Sequence, residues 1–364
     1  MLTVFGLMIG LRWETGKGLS ALIQFDAMFE ARSNPILRTI PHHVRNPSGF
    51  DGQFYAQVAL DPLLLDPATK PALDAPAYRS RRILMPLMAY AGGLGQPGWI
   101  IAVYPFIDLG CWLLLLWLLL KYLRPATGFQ CACITAVLFS SGLLDTVRLA
   151  LPDLPATVLL LLPYFTTLAG VGAAFALACA CLGRETSVLG VAAYFGHRVP
   201  SDRPLMMRAI GFVAAVLPLA AWTIYVHWRF GADTLTGGNL ALPLTAAAHT
   251  LTTSAMRFAT ELSPAALGAV AAVVGLHLQA AYLWLNRNWV DPFWRLGAAY
   301  TVLLVVLGPK VWEVPLAACR DVLPMTIAFN VLLLRRAGRP SWQLFAWGNA
   351  YSLYGLFKVF TYTS

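Results

Sequence analysis

Apolar residues run in long blocks along most of this chain, separated by short basic stretches. Runs such as 99–120 and 265–285 are long enough to cross a hydrocarbon core of about 30 Å as helices. Ten-residue segments of alternating polarity are absent, which excludes a transmembrane β-barrel. The pattern predicts an all-α, polytopic membrane protein, a helical bundle of about nine spans plus half-helices. One region breaks it. After a short apolar opening, 1–11, residues 12–82 are polar and hold Glu14, Asp26, Glu30, Asp51, Asp61, Asp66 and Asp74 of the seventeen acids. No repeat or low-complexity tract divides the chain, so 1–364 reads as a single integral membrane domain.

Lys and Arg set the sidedness, because short cytoplasmic loops carry them in excess. On that rule 1–11 leads out and 12–82 is a large first external loop. Span 99–120 returns to Lys121 and Arg124, 131–149 goes out to Asp153, and 154–182 returns to Arg184. Span 206–229 leaves, 235–264 forms a second, polar external loop, and 265–285 returns to Arg287 and Arg295. Span 296–307 goes out, 321–334 returns to Arg335, Arg336 and Arg339, and 342–362 ends outside. Two pieces, 83–94 and Ser187–Phe195, are too short to cross; the first reads as a half-helix returning to the outer face. A hairpin at Pro163 would split 154–182 and invert everything downstream, against the arginine counts. The opening run is also too short to span, so it is shallow or the true start lies upstream. It lacks the basic n-region and cleavage site of a signal peptide.

Composition agrees. Charged residues are 12% of the chain, about half the share of a soluble domain, and apolar ones 58%. The net charge of +9 sits in short loops, not in a basic stripe interleaved with stacking aromatics. The partner it implies is the bilayer, and nucleic acid is excluded. Cys111, Cys131, Cys133, Cys179, Cys181 and Cys319 lie in apolar stretches at spacings that match neither zinc nor redox motifs. They read as small buried hydrophobes and leave the redox compartment open.

The chemistry gathers in the polar segment. Asp51 lies in Gly49-Phe50-Asp51-Gly52-Gln53-Phe54-Tyr55. Gly49 and Gly52 allow backbone geometry that other residues resist, while Phe54 and Tyr55 can anchor the loop at the interface. A partly desolvated carboxylate there can act as general base on a hydroxyl; the plainer reading is an Asx-turn. Gln53 and Tyr78 complete the residues expected to position this loop. Arg79, Arg81 and Arg82 close it, and their planar forks suit a lipid phosphate or pyrophosphate; interfacial anchoring is the alternative. Arg320 stands at the border of a span beside Asp321, a functional candidate unless the two simply pair. Asp153 is a second acidic candidate, or a cap for the helix it opens. Arg184-Glu185-Thr186 reads as an ion pair fixing two helices at the inner face. Asp108 and Asp145 read as facing a wet cavity or capping a break. His42 and His43 form no H-x-x-x-H metal pattern and read as a solvated pair; no cofactor is implied, and a divalent metal is left open.

Several of these pieces occur in a telling order. They are Phe50-Asp51-Gly52-Gln53-Phe54-Tyr55, Asp61-Pro62 and the segment 74–86 from Asp74 through Tyr78-Arg79-Ser80-Arg81-Arg82 to Pro86. Leu151-Pro152-Asp153-Leu154 and Gly183-Arg184-Glu185-Thr186 follow, with Arg320 and Pro324 further on. This order resembles the bacterial GT-C glycosyltransferases, mannosyltransferase-like enzymes of the inner membrane that use polyprenyl-phosphate sugars. The resemblance implies a GT-C-like helical bundle, Asp51 as catalytic base, and donor-phosphate contacts from Arg79, Arg81, Arg82 or Arg320. It implies a lipid-linked sugar as donor and a glycan, lipid or protein as acceptor. Larger members carry a soluble C-terminal domain that this chain lacks, and its first helix reads as truncated.

The physical requirements agree with that expectation. A sugar on a lipid phosphate already has a good leaving group, so an enzyme must activate the acceptor hydroxyl, offset charge on the phosphate and exclude water. No nucleotide-binding glycine loop is present, which fits a lipid donor. A transporter or lipid flippase would place charges on broken helices near the midplane, and a non-catalytic assembly subunit would need no base.

Overall fold

The computed structural model describes residues 1–45, 49–166, 168–196, 205–231, 238–314, 316–336 and 340–361. Among them the chain is almost wholly helical. One two-residue parallel pairing, β1 (Phe25–Asp26) with β2 (Val44–Arg45), lies in the polar segment. That segment also holds α1 (Leu2–Gly10) at its approach, α2 (Ala27–Glu30), α3 (Gly52–Leu60) and α4 (Pro76–Ser80). Then come α5 (Leu84–Gly92), α6 (Pro97–Leu123), α7 (Gly128–Leu138), α8 (Ser141–Arg148), α9 (Asp153–Phe165), α10 (Gly170–Gly183) and α11 (Ser187–Phe195). The second half is α12 (Leu205–Phe230), α13 (Thr245–Glu261), α14 (Pro264–Leu285), α15 (Pro292–Val306), α16 (Pro309–Glu313), α17 (Ala317–Asp321) and α18 (Leu323–Arg335). It ends with α19 (Trp342–Asn349) and α20 (Ser352–Thr361).

Local chemistry sets the starts. Proline opens α6, α14 and α15, where its missing N–H would have gone unpaired anyway. The Asp291 carboxylate accepts from the N–H groups of Phe293 and Trp294, and Thr127 with Gln130 forms a capping box on α7.

Three helices, α6, α12 and α14, are long and apolar enough to cross a membrane, and α7 with α8 makes a fourth if that pair, bent by 40°, is one span. Several shorter helices are as apolar. Val213, Leu217 and Ile224 on α12 are 55%, 60% and 71% exposed. In water such a flank would be an aggregation surface; against lipid tails it costs nothing. The interior between α14, α18 and the last two helices is different, since its polar groups meet each other. Gln279 Nε2 donates to the Gly348 carbonyl and to the Tyr351 hydroxyl, Thr326 donates to Gln279, and Asn330 and Asn349 exchange hydrogen bonds at 3.0 and 3.1 Å. Satisfied polar groups of this kind hold helices together where lipid supplies no hydrophobic drive.

The bundle has two ends. At one, Tyr122 lies against Phe165, Gln130 donates to the Leu334 carbonyl, and Arg335 lies 3.7 Å from Asp291. At the other stand Asp51, Asp153 and Arg320. The region 154–182 joins them differently from the single span expected. It folds as an antiparallel hairpin, α9 and α10, because Pro163 removes an N–H in the last turn of α9 and Gly170, at φ +58°, opens the return. Arg184 therefore returns beside Asp153. Nor is Ser187–Phe195 idle: as α11 it runs back, with the Tyr164 hydroxyl on the Gly190 carbonyl and the Tyr194 hydroxyl 3.4 Å from the Leu168 carbonyl oxygen. Two extra passages cancel. So α12 still starts at the far end, beside Phe195, and finishes at the site end, where Arg229 donates to the Leu64 carbonyl. Arg198, Arg203 and Arg339 lie outside the described residues.

Two further expectations change. The second polar loop is largely a helix, α13, packed antiparallel on α14, and 232–237 at its beginning lie outside the described residues. The half-helix 83–94 is the nine-residue α5, which turns directly into α6 and packs back along it, with Gly93 against Ile100.

Candidate active site

The site is built on α3. Its residues from Gly52 to Ala59 are all buried, unusual for a segment this close to the polar loop. Two glutamines one turn apart explain how. Gln53 exchanges hydrogen bonds with Asp26, its Nε2 donating to Oδ2 and its Oε1 accepting from the backbone N–H. Gln57 accepts from Asn34 N–H and donates to the Ala72 carbonyl. The polar segment is thereby wrapped around one helix.

Neither glycine beside Asp51 has a positive φ, so flexibility is not their reason. A Cβ on Gly49 would lie 2.1 Å from the Gln24 carbonyl oxygen, and one on Gly52 would lie 2.3 Å from that of Leu149. They are glycines because the backbone passes too close for a side chain. Asp26, which sequence reasoning left out, fastens this approach by also accepting from Gly49 N–H. Asp61 has a similar local job: it accepts from the N–H groups of Leu65 and Asp66 and from the Thr69 hydroxyl.

Asp51 precedes α3 but does not cap it. Its carboxylate turns to Arg79, which approaches with both terminal nitrogens and also holds Asp74 at 2.7 and 2.8 Å. Burial opposes the charge on Asp51, but Arg79, with Arg320 and Arg82 behind it, outweighs that and holds the carboxyl below its usual pKa. Arg82 donates to the Tyr55 and Tyr78 hydroxyls, each at 3.0 Å, and to both oxygens of Glu185 at 3.1 Å. Burial likewise opposes ionisation of Glu185, yet Arg82 prevails and brings its pKa down to about 2. Arg81 stacks over Tyr78 at 5.1 Å and has no carboxylate partner among the described residues.

The opposite wall comes from later in the chain. Asp153, at the first turn of α9, forms an ion pair with Arg184, which also reaches Asp321. Asp153 thus ties helices together and makes no cap. Asp321 belongs to Arg184, so Arg320 does not pair with its neighbour; it lies over the Phe50 ring with Nε 3.5 Å from Asp145. The backbone of Asn239 accepts from Gly308 N–H, which brings Lys310 to the rim.

Between these walls lies a cavity of about 760 Å³. Asp51, Tyr78, Arg81, Arg82, Asp153 and Arg320 all reach it, and with them Arg184, Glu185, Lys310 and Asp321. Arg79 does not. Its charge is matched by Asp51, which lines the cavity, and by Asp74, which does not, and the guanidinium is set back from the space itself. The Arg184-Glu185-Thr186 turn is corrected, since it belongs to the site and not to the far end. Asp108, 0% exposed, and Asp145, 2%, are buried, and Asp145 pairs with Arg148 at 2.6 Å. His42 is buried against Phe25, and His43 pairs with Glu14 at 2.5 Å, so they are no solvated pair. Among the described residues no group of three or more His, Cys, Asp or Glu is placed to hold a metal ion.

Compared with known proteins, the chain matches no family model, no curated protein and no solved structure.

Proposed function

We propose that this chain is a membrane glycosyltransferase of the GT-C type, moving a sugar from a polyprenyl-phosphate donor to an acceptor hydroxyl. In this reading the site end is extracytoplasmic, at a bacterial inner membrane. The sequence reading counts about nine spans; α9, α10 and α11 make three passes where it has one, with the nine residues of α11 too few to cross alone. The observation that carries the proposal is the cavity itself, where Asp51 shares the lining with Arg81, Arg82, Arg184, Lys310 and Arg320 at the end of an apolar bundle.

Asp51 takes the proton of the acceptor hydroxyl as its oxygen bonds to the anomeric carbon. The bond from that carbon to phosphate oxygen breaks, the phosphate leaves with the electron pair, and the configuration inverts. Arg81, Arg82 and Arg320 offset the phosphate charge, with Lys310 and Arg184 near enough to contribute. Arg79 works through Asp51, as a positioning residue.

The test is transfer of radiolabelled sugar from a polyprenyl-phosphate donor by the purified protein in detergent, with the lipid, glycan and protein acceptors tried separately. A protein that binds the donor and transfers nothing to any acceptor would return the transporter and assembly-subunit readings to the front.

A further inference from the structure

Arg320 lines the cavity from α17, a helix of five residues, too short to fix a long side chain by itself. Two contacts hold the guanidinium. The Phe50 ring lies 5.5 Å from Cζ, and Asp145, on α8, stands with Oδ2 3.5 Å from Nε. Close packing of α8 on α17 makes that approach possible, since a side chain on Gly142 would run into the Cys319 carbonyl. Asp145 itself is 2% exposed and lies outside the cavity lining, so the proposed reaction has no direct use for it. A carboxylate is buried that deeply only when cations hold it. Arg148, one turn along α8, takes Oδ1 at 2.6 Å, and Lys358 on α20 feels the same charge. Arg320 is held more loosely: its Nε and the Oδ2 of Asp145 are both buried, and neither completes a hydrogen bond. Nε is the nitrogen that comes nearest, so Asp145 approaches the guanidinium from that side. Three cations share one acid, and positive charge is left over at the arginine that reaches the cavity.

We propose that Asp145 is a positioning residue for this cavity: it never meets the ligand, and it sets the aim of Arg320 by holding the Nε side, so that the terminal nitrogens face the bound phosphate. The inference rests on the reading of the cavity as a lipid-phosphate site. Arg148 completes the device, because by taking Oδ1 it keeps Asp145 from neutralising Arg320 outright. The neighbour Asp321 is not available for the task, since Arg184 holds it. Asp51 is the acid that Arg320 would otherwise seek, and its carboxyl already feels the Arg320 charge. An arginine released by Asp145 would therefore turn towards the proposed base and leave the phosphate. Planar guanidinium suits this double duty, one edge anchored and the other presented, as a lysine ammonium does not.

The probe is polyprenyl phosphate without a sugar, titrated against the purified full chain in detergent, so that no transfer is needed. Asp145→Asn should weaken binding about tenfold, the scale of one hydrogen bond to a charged group. Charge alone predicts the reverse, because neutralising an acid near a phosphate tightens its binding. In an Arg320→Met background the same Asp145→Asn change should have no further effect, a non-additivity that a merely structural loss would not show. If Asp145→Asn does not fold, Asp145→Asn combined with Arg148→Met takes its place, since removing both partners leaves neither of that pair buried and unmatched. Unchanged or tighter binding on loss of Asp145 would overturn the proposal, and so would losses that add to those of Arg320→Met. A wild-type protein that binds no lipid phosphate would sink the reading of the cavity, and this inference with it. Binding with additive losses would sink the positioning role alone.

Discussion

Arg79 grips Asp51 with both terminal nitrogens, Nη1 2.7 Å from Oδ2 and Nη2 2.8 Å from Oδ1. The pairing is bidentate, so it fixes the direction of the carboxylate as well as its charge. As the proposed base Asp51 is weak, but it stays ionised below the ordinary carboxylate range. The two charges meet at the wall, with Asp51 lining the cavity and Arg79 set back from it.

The role of Asp51 is tested by Asp51→Asn. The fold should survive and donor should still bind, while turnover falls by about 10²- to 10⁴-fold. Asp153→Asn should behave differently. It removes one of the two carboxylates that Arg184 holds, at a pair whose side chains are 4% and 9% exposed, and should cost about 1–3 kcal/mol of stability. Paired turnover and thermal-unfolding measurements distinguish them; a stable Asp153→Asn with collapsed turnover would move the base to Asp153.

Arg79 and Arg81 should separate cleanly in kinetics. Arg79→Met should lower kcat and leave donor KM nearly unchanged, because the arginine touches Asp51 and not the phosphate. The acid limb of its pH–rate profile should also move up, towards the ordinary Asp value of about 3.9. Arg81→Ala should instead weaken donor binding by about 1.5–3 kcal/mol, the range for hydrogen bonds to a charged group. A raised donor KM in the Arg79 variant and none in the Arg81 variant would reverse the assignment.

Glu185 gives the fold a pH-dependent term of known sign. Its folded pKa, about 2, lies below the unfolded value of about 4.3, so its contribution is complete above the latter and fades as pH falls towards the former. The melting-temperature gap between the wild type and Glu185→Gln should therefore shrink from about pH 5 to about pH 3. A gap that stays constant over that window would mean Glu185 is not held by Arg82 in solution.

Sidedness is open to cysteine labelling in intact cells, in a background without native cysteines. Positions 51, 184 and 310 should react with an impermeant reagent from outside, and 124 and 336 should not. Protection of 184 with labelling of 51 would restore a single span over 154–182.

The long apolar runs and the polar segment were readable because they rest on composition. The expected 99–120 is α6, and 265–285 is α14. Asp51, Tyr78, Arg81, Arg82, Asp153 and Arg320, picked out one by one, do share one cavity. What could not be read was pairing across distance. Arg82 meets Glu185 over 103 positions and Arg184 meets Asp321 over 137, and no local pattern announces either. The counting of arginines also misled at Arg184, because it weighs each charge as free. Glycine was read as flexibility at 49 and 52 when the demand was space, which only the neighbouring strand of chain reveals.

Those matched charges also bear on how the protein sits in an energised membrane. Arg79, Arg82 and Arg184 each carry a carboxylate with them, so a transmembrane voltage finds little net charge to pull on at that face. Remove Glu185 alone and the positive charge of Arg82, between α4 and α5, loses its carboxylate. With that face extracytoplasmic, drawing the charge across would gain about 2.3 kcal/mol per 100 mV. The acids lining the cavity thus act as ballast against the field, holding Arg82 and Arg184 where they line it.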